Sequence, residues 1–230
     1  MKKLHCKSYL VLLLSMFLMC ALIGSAQTNP SDIKSEIVNL YNKSQEDLSE
    51  GRFESAIKLK SSVYVKSKDL EGLKLIGGLC AIEIALYYSS VHKDLNKYIE
   101  WLIKSDECGY PEASGRLGDA YLTGQNGVPQ DYNKAKYYYD KSNDGRCKWI
   151  IATMYGENGE LGRNDSEWLK YTKMAVQKGE PNAQFYLGLY YIYGKIVPKD
   201  INNGIELIKK AAEQNYINAL RFLEENNIQI

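Results

Sequence analysis

Two Ser-x-x-Lys pairs have the residue types and the spacing to do covalent chemistry. Ser31 with Lys34 and Ser90 with Lys93 match the nucleophilic serine and its lysine in serine acyl-transfer enzymes. That chemistry also needs a partner motif such as Lys-Thr-Gly, which the sequence lacks. We interpret both pairs as chance matches, and we predict that the chain has no catalytic residues and is not an enzyme.

The other reactive side chains form no recognisable metal or redox motif. Beyond residue 26 the single histidine is His92, too few for a two-histidine metal site, and we expect it to lie at or near the surface. The acidic stretch 157–165 lacks the alternating ligands and the distal glutamate of a calcium loop. Cys80, Cys108 and Cys147 are an odd number, and we interpret them as buried thiols whose disulfide state stays open. We therefore expect no metal and no cofactor.

The first 26 residues have the pattern of a secretory signal. Lys2, Lys3 and Lys7 precede an apolar run over about residues 10–23, and small residues follow. This run is shorter than the roughly 20 residues that a spanning helix needs. Lipid attachment at Cys20 is disfavoured because the residues before it are bulky. We therefore predict cleavage after Ala26, no integral membrane span after processing, and an exported protein that is periplasmic or secreted.

The charge composition argues against partners that are strongly anionic. The chain has 29 Lys and Arg against 28 Asp and Glu, and loss of the basic N-terminal segment would leave it slightly acidic. Binding to nucleic acid or to an anionic membrane surface requires a basic face. We therefore do not expect either as a partner.

An internal repeat predicts the elements that position the side chains. Residues 117–131 read LGDAYLTGQNGVPQD and residues 187–200 read LGLYYIYGKIVPKD, in the same order and with one more residue in the first copy. A middle copy lies between these two segments, a degenerate copy spans residues 70–107, and half a copy follows the last full one. Such repeats are typical of helical hairpins that must stack on each other to bury an apolar face. The extra residue falls in the turn, where insertions are tolerated.

The repeated positions predict where helices begin, end and touch. Short carboxylates precede the second helix of each pair, where they would cap it. Gly145, Gly179 and Asn215 follow those helices, where a left-handed residue would end them. Glycine recurs in the middle of the first helix although it costs about 1 kcal/mol there relative to alanine, which predicts close approach of two helices. The repeated positions are Gly118, Tyr121, Asp131, Tyr155, Asp165, Gly188, Tyr191 and Asp200.

The segments 117–145 and 183–215 resemble the Sel-one-like repeat (SLR) family, which is related to tetratricopeptide repeats. The resemblance rests on LG..Y..G..GVP.DY.KA..YY.K...G and A..YLG.YY.YG..VPKD...G...IKKAAEQN. It implies an all-α fold, a right-handed α-solenoid of stacked helix-turn-helix repeats, and a role as an adaptor in protein complexes. The middle copy departs from the pattern, because it lacks the Val-Pro turn and has Trp168 where the first copy has Lys134.

The domain organisation follows from the repeats and the termini. We predict a signal peptide (1–26), a polar tether (27–34), a tetratricopeptide-like hairpin with a degenerate repeat (35–108), and Sel-one-like repeats with a truncated last copy (109–230). The first helix of the degenerate copy is apolar on nearly all sides and has the sequence LIGGLCAIEIALYY. It is therefore predicted to be buried on both sides.

One face of the first helix in each pair is the candidate binding surface. At 100° per residue, the positions opposite the repeat core become more apolar toward the C-terminus. The predicted groove comprises Arg116, Asp119, Trp149, Ile150, Phe185, Tyr186, Leu189 and Tyr193. An aromatic stripe on a concave surface could bind a protein or a peptide.

The sequence leaves three interpretations of function. The preferred one is an exported helical scaffold that binds a protein or peptide in a concave groove. The second is a cell-wall- or peptide-directed hydrolase, as proposed for some secreted SLR relatives, which would need a convergent catalytic pair in that groove. The third is a structural spacer, favoured if the stripe is core. The identity of the partner and the oligomeric state are not determined by the sequence.

The secretory pattern makes a direct prediction about processing. We expect a mature N-terminus at Gln27, because the small residues before it suit cleavage after Ala26. Mass spectrometry of the protein recovered from the envelope or the medium measures this terminus. An intact Met1, or a lipid on Cys20, would contradict the prediction.

Overall fold

The computed structural model describes residues 31–124 and 127–229. These residues form helices and no β-strand, which confirms the predicted all-α class. A π-helical turn, Tyr88–His92, extends the third helix. The α-helices of the described ranges are α1 (Ser31–Ser49), α2 (Phe53–Ser67), α3 (Lys74–Tyr87), α4 (Leu95–Glu107), α5 (Pro111–Thr123), α6 (Tyr132–Lys141), α7 (Gly145–Met154), α8 (Asp165–Gln177), α9 (Pro181–Tyr193), α10 (Ile201–Glu213) and α11 (Ile217–Glu225).

The predicted tether is shorter than the sequence suggests. The signal segment and residues 27–30 lie outside the described residues. Helix α1 begins at Ser31, so residues 31–34 are helical and the prediction of a tether there is wrong. Asp32 suits the first turn of a helix, where a carboxylate is favourable, and Ile37 and Tyr41 continue an apolar face that is fully buried.

The chain forms two compact units. Its first unit contains, of the described residues, 31–117, 124 and 127–129, and in it α1 to α4 pack in chain order. Helix α3 is its core, with Ile76, Cys80 and Ile84 fully buried, which confirms the predicted burial on both sides. By length and composition the stretch Lys74–His92 could cross a membrane, but 56 % of its apolar window is buried within the protein.

The second unit contains residues 118–123 and residues from 130 onward, and it repeats one backbone hydrogen bond. The N–H of Asp131 donates to the carbonyl of Tyr121 at 2.9 Å. The N–H of Asp200 donates to the carbonyl of Tyr191 at 2.8 Å. In the middle copy the carbonyl of Tyr155 accepts at 3.0 Å from Asn164, one residue before the predicted Asp165. This bond ties the end of the first helix to the start of the second in all three copies.

The caps follow the same register. Asp131 and Asp200 accept from backbone N–H groups three residues ahead, as predicted, but in the middle copy the cap is Asn164, which accepts from Glu167. The prediction for Asp165 is wrong, since it is the first helical residue and pairs with Arg163. The sequence does carry the signal, because Asn164 and Glu167 have the spacing of a capping box.

Two of the three predicted helix ends are confirmed. Gly179 and Asn215 have φ values of 79° and 61°, in the left-handed region that ends a helix. Gly145 is instead the buried first residue of α7, and that prediction is wrong. Helix α6 stops early, at Lys141, and Asp144 caps α7.

The repeated glycines lie where two helices touch. A Cβ atom at Gly188 would lie 2.7 Å from the carbonyl oxygen of Gly204 on α10, and a Cβ at Gly204 would lie 2.6 Å from that of Gly188. In the first copy, a Cβ at Gly118 would lie 2.5 Å from the ring of Tyr139 on α6. The predicted close approach is thus confirmed, between backbones in the last copy and between backbone and ring in the first.

Enlarging Gly188 should therefore destabilise the fold. Gly188→Leu has no space to relax against the carbonyl of Gly204, and we expect unfolding in urea to show a loss of about 1–3 kcal/mol. Asn202→Leu, at an exposed position of α10, is the control and should change little. A variant at Gly188 that is as stable as the parent would show that the contact is not tight.

Candidate protein-binding surface

The predicted groove residues on α9 divide between core and surface. Phe185 is 8 % exposed and packs with Ile208 of α10 and with Ala219 and Leu223 of α11, so it is not a groove residue. Leu189 is half-buried and lies against the same cluster. The following hairpin covers this side of α9, which the sequence pattern of one helix cannot show.

The aromatic residues that remain accessible form a patch between α7 and α9. The rings of Trp149 and Tyr186 stack with centroids 5.2 Å apart and planes 18° from parallel. Tyr186 is 38 % exposed, and Tyr193, two turns further along α9, is 62 % exposed. Ile150, the neighbour of Trp149, is half-buried. We call Trp149, Tyr186 and Tyr193 the aromatic face.

The predicted polar groove residues are engaged in structural contacts. Asp119 accepts a hydrogen bond of 2.6 Å from the Tyr139 hydroxyl and bonds of 3.2 and 3.1 Å from the two terminal nitrogens of Arg146. Burial, and then the bond to Asp119, raises the pKa of Tyr139. Arg116 belongs to the other unit, where it bonds Glu112 on its own helix. Their roles in binding stay predictions.

A cavity of about 330 Å³ lies beside the end of α9 and was missed by the sequence analysis. One wall is the stacked pair Trp168 and Tyr190, with ring centroids 4.3 Å apart and planes 28° from parallel. The charged side chains around it come from the α7–α8 turn, from the first residue of α8 and from the residues after α9. The cavity is lined by Gly156, Glu157, Arg163, Asp165, Trp168, Tyr190, Lys195 and Ile196.

The sequence analysis counted the second helix of the middle copy from Asp165, one residue too late, and therefore missed this cavity. Counted from the true cap, Asn164, Trp168 corresponds to Ala135 and Gly204, which are buried, and not to the exposed Lys134. A tryptophan at this position points into the structure against Tyr190. The Asn164–Glu167 spacing would have placed it correctly.

The described residues do not bring a catalytic constellation together. The hydroxyl of Ser90 donates to the carbonyl of Leu86, within its own helix. The side chain of His92 is 44 % exposed, as expected, and its Nε2 lies 2.9 Å from a carboxylate oxygen of Glu54 and 2.9 Å from the hydroxyl of Tyr87. Within residues 31–124 and 127–229, no group of three His, Cys, Asp or Glu side chains could hold a metal ion.

The thiols of Cys80, Cys108 and Cys147 are free and buried in this structure. Burial raises the pKa of all three, most strongly at the fully buried Cys80. A buried, protonated thiol is a poor nucleophile and behaves as a small apolar side chain. The interpretation of these three cysteines as buried thiols is confirmed.

Residues 111–145 and 181–216 match the Sel1 repeat family model. This chain carries Sel1 repeats. The two matched segments contain the first and third helix pairs, and they flank the middle pair with its different turn. Sel1 repeats build helical solenoids and generally mediate protein–protein interactions.

Curated proteins with similar sequence are parts of regulatory or multi-subunit systems. The chain is 27 % identical over 54 % of its length to the chitin synthase regulator SKT5 of Saccharomyces cerevisiae, and covers 19 % of that protein. It is 28 % identical over 42 % of its length to HRD3B of Arabidopsis thaliana, an ERAD-associated E3 ubiquitin-protein ligase component, and covers 16 % of it. The chain thus spans less than a fifth of either relative.

Solved structures of Sel1 repeat proteins have the same fold. A protective antigen of uropathogenic Escherichia coli with an SLR fold aligns at a TM-score of 0.58 and 26 % identity, over 66 % of this chain and 34 % of that one. A Sel1 repeat protein from Oxalobacter formigenes aligns at a TM-score of 0.62 and 20 % identity, over 80 % of this chain and 74 % of that one. The predicted solenoid fold class is confirmed.

Truncation of the neighbouring aromatic residues on α9 should lower the stability of the protein by different amounts. Phe185→Ala removes a buried ring from the α9–α11 cluster and should cost about 3–5 kcal/mol in urea unfolding. Tyr186→Ala removes the stack on Trp149 and an edge-to-face contact with Phe185 and should cost about 1–2 kcal/mol. Equal losses for the two variants would show that Tyr186 is also a core residue.

Proposed function

We propose that this protein is an exported helical-repeat scaffold that binds a protein or peptide partner through the aromatic face of its second unit. The exposed Tyr186 and Tyr193, beside the stacked ring of Trp149, are the observation that carries this proposal. Large aromatic side chains grouped at a surface are typical of interaction sites. Export is proposed from the secretory pattern of the first 26 residues.

The arrangement of the aromatic face suits recognition because it is organised before a partner arrives. Trp149 is held against Tyr186, and both rings lie on helices that pack into the repeat core. Ordering a side chain at an interface costs about 0.5–1.5 kcal/mol, and a ring that is already stacked avoids part of that cost. Aromatic anchors of this kind usually carry most of the binding energy of an interface.

The names of the relatives support a binding role over a catalytic one. One is a regulator of chitin synthase, and another is a component of a ubiquitin ligase. We infer that the repeats of the present chain likewise serve to hold a partner. This inference concerns the repeats alone, since they cover a minor part of either relative.

Removing the exposed rings should abolish binding without unfolding the protein. Peptides of 12 residues selected on the immobilised protein from a random library provide a defined ligand, whose Kd is then measured by calorimetry. We expect Tyr186→Ala with Tyr193→Ala to raise the Kd at least tenfold, because two anchors are lost. Circular dichroism should change little, and the melting temperature should fall by only a few degrees, as the loss of the ring contacts of Tyr186 requires.

The control is a change of similar size on the second helices of the repeats. Lys136 on α6 and Lys170 on α8 place their ammonium groups over the ring of Tyr171. The double variant Lys136→Ala with Lys170→Ala should leave the Kd of the peptide unchanged. If no peptide can be selected, or if both double variants bind as well as the parent, the aromatic face is not the binding surface.

A further inference from the structure

The cavity beside the end of α9 is suited to a single side chain. Its volume of about 330 Å³ is at the lower end of the range for ligand sites, which are usually about 300–1,000 Å³. Trp168 is buried at its wall and Tyr190 is half-buried. A long side chain with an apolar stem and a polar tip can lie along such rings and keep its tip near water.

Two of the charged groups in the cavity neutralise each other. The Nε and one terminal nitrogen of Arg163 donate to the two carboxylate oxygens of Asp165, at 2.9 and 3.1 Å. This two-fold contact fixes the guanidinium and lowers the pKa of Asp165, chiefly through the hydrogen bond. Neither group needs a ligand to balance its charge.

Glu157 and Lys195 are the two charged groups that remain. Neither carboxylate nor ammonium makes a hydrogen bond or an ion pair with another described residue. Glu157 lies close enough to Arg163 and Tyr190 for its charge to act on both, as does Asp165. Burial, and then the charges of Asp165 and Glu157, raise the pKa of Tyr190. The four charged side chains of the cavity are two of each sign, and Glu157 is the carboxylate among them that acts on the aromatic wall without an ion-pair partner among the described residues.

The aromatic wall decides which charge the cavity favours. A cation is attracted to the face of a tryptophan or tyrosine ring, whereas a carboxylate is not. A ligand cation would lie against the accessible part of the Tyr190 ring, near the unpaired carboxylate of Glu157. Its binding would leave the Arg163–Asp165 ion pair intact. Lys195 sits on an exposed, flexible stem and can turn toward solvent.

We infer that this cavity binds a lysine or arginine side chain of the same peptide that covers the aromatic face, an inference that rests on the proposed function. Tyr186 and Tyr190 are one turn apart on α9, about 6 Å along the helix. In an extended peptide, side chains two residues apart point the same way and lie about 7 Å apart. The favoured ligand therefore has an apolar residue, any residue, and then a basic residue, or the reverse order.

Short synthetic peptides and fluorinated tryptophan test this inference. The sequence contains three tryptophans, Trp101, Trp149 and Trp168, so 5-fluorotryptophan labelling gives three ¹⁹F signals, assigned by single Trp→Phe variants. Trp149 reports on the aromatic face, Trp168 on the cavity, and Trp101 of the first unit serves as the reference. The probes are acetyl-Phe-Gly-Lys-amide and acetyl-Phe-Gly-Glu-amide, with the reversed acetyl-Lys-Gly-Phe-amide.

The expected result is a preference for lysine that depends on Glu157. The better of the two lysine peptides should move the signals of both Trp149 and Trp168 and bind at least fivefold more tightly than the glutamate peptide. Glu157→Gln should remove this preference. Lys195→Gln, the matched control in the same cavity, should keep it, because it removes a positive charge that a ligand cation would otherwise meet.

The other outcomes separate the inference from the proposed function. Equal binding of lysine and glutamate peptides, or tighter binding of glutamate, would overturn the inference and leave the aromatic face as a binding site. A loss of lysine preference in Lys195→Gln equal to that in Glu157→Gln would also overturn it. If no peptide moves the Trp149 signal, the proposed function fails together with the inference.

Discussion

The backbone hydrogen bond that closes each helix pair is the constraint on which the rest of the second unit depends. The last carbonyl groups of a helix have no partner within it. Here one such carbonyl, at Tyr121, Tyr155 or Tyr191, accepts from the residue that caps the next helix. Because the bond uses only backbone atoms, the turn can change its sequence and its length while the two helices keep their register. The middle copy lacks the Val-Pro turn and still forms the bond.

The fixed register determines which side chains meet inside each pair. Four residues after the cap, the three copies have Ala135, Trp168 and Gly204, all buried. In the last copy glycine allows α10 to approach Gly188 backbone to backbone. In the middle copy the tryptophan instead extends to Tyr190, and the cavity opens beside this stack. One repeated position thus produces tight packing in one copy and a cavity in another.

The division of α9 into core and surface determines what the protein can bind. One side of the helix is covered by α10 and α11, which removes Phe185 from the surface, while Tyr186 and Tyr193 stay exposed. The exposed rings lie close to a charged cavity, and the combination allows apolar anchoring and charge selection within one short segment. Tight packing below keeps the rings in place, so stability and recognition depend on the same helix.

The sequence by itself determined the all-helical repeat fold, the close approach at Gly118 and Gly188, and the caps Asp131 and Asp200, because period and local capping chemistry depend on residues near in sequence. It also indicated the helices that carry the aromatic residues. The Asn164–Glu167 spacing also carries the signal for the cap of α8. Only the tertiary structure decided that Gly145 starts a helix, that Phe185 is core, and that Trp168 lines a cavity with Glu157. These outcomes depend on the next hairpin and on the exact length of each turn, and a helical periodicity reports which residues share a face without reporting what covers that face.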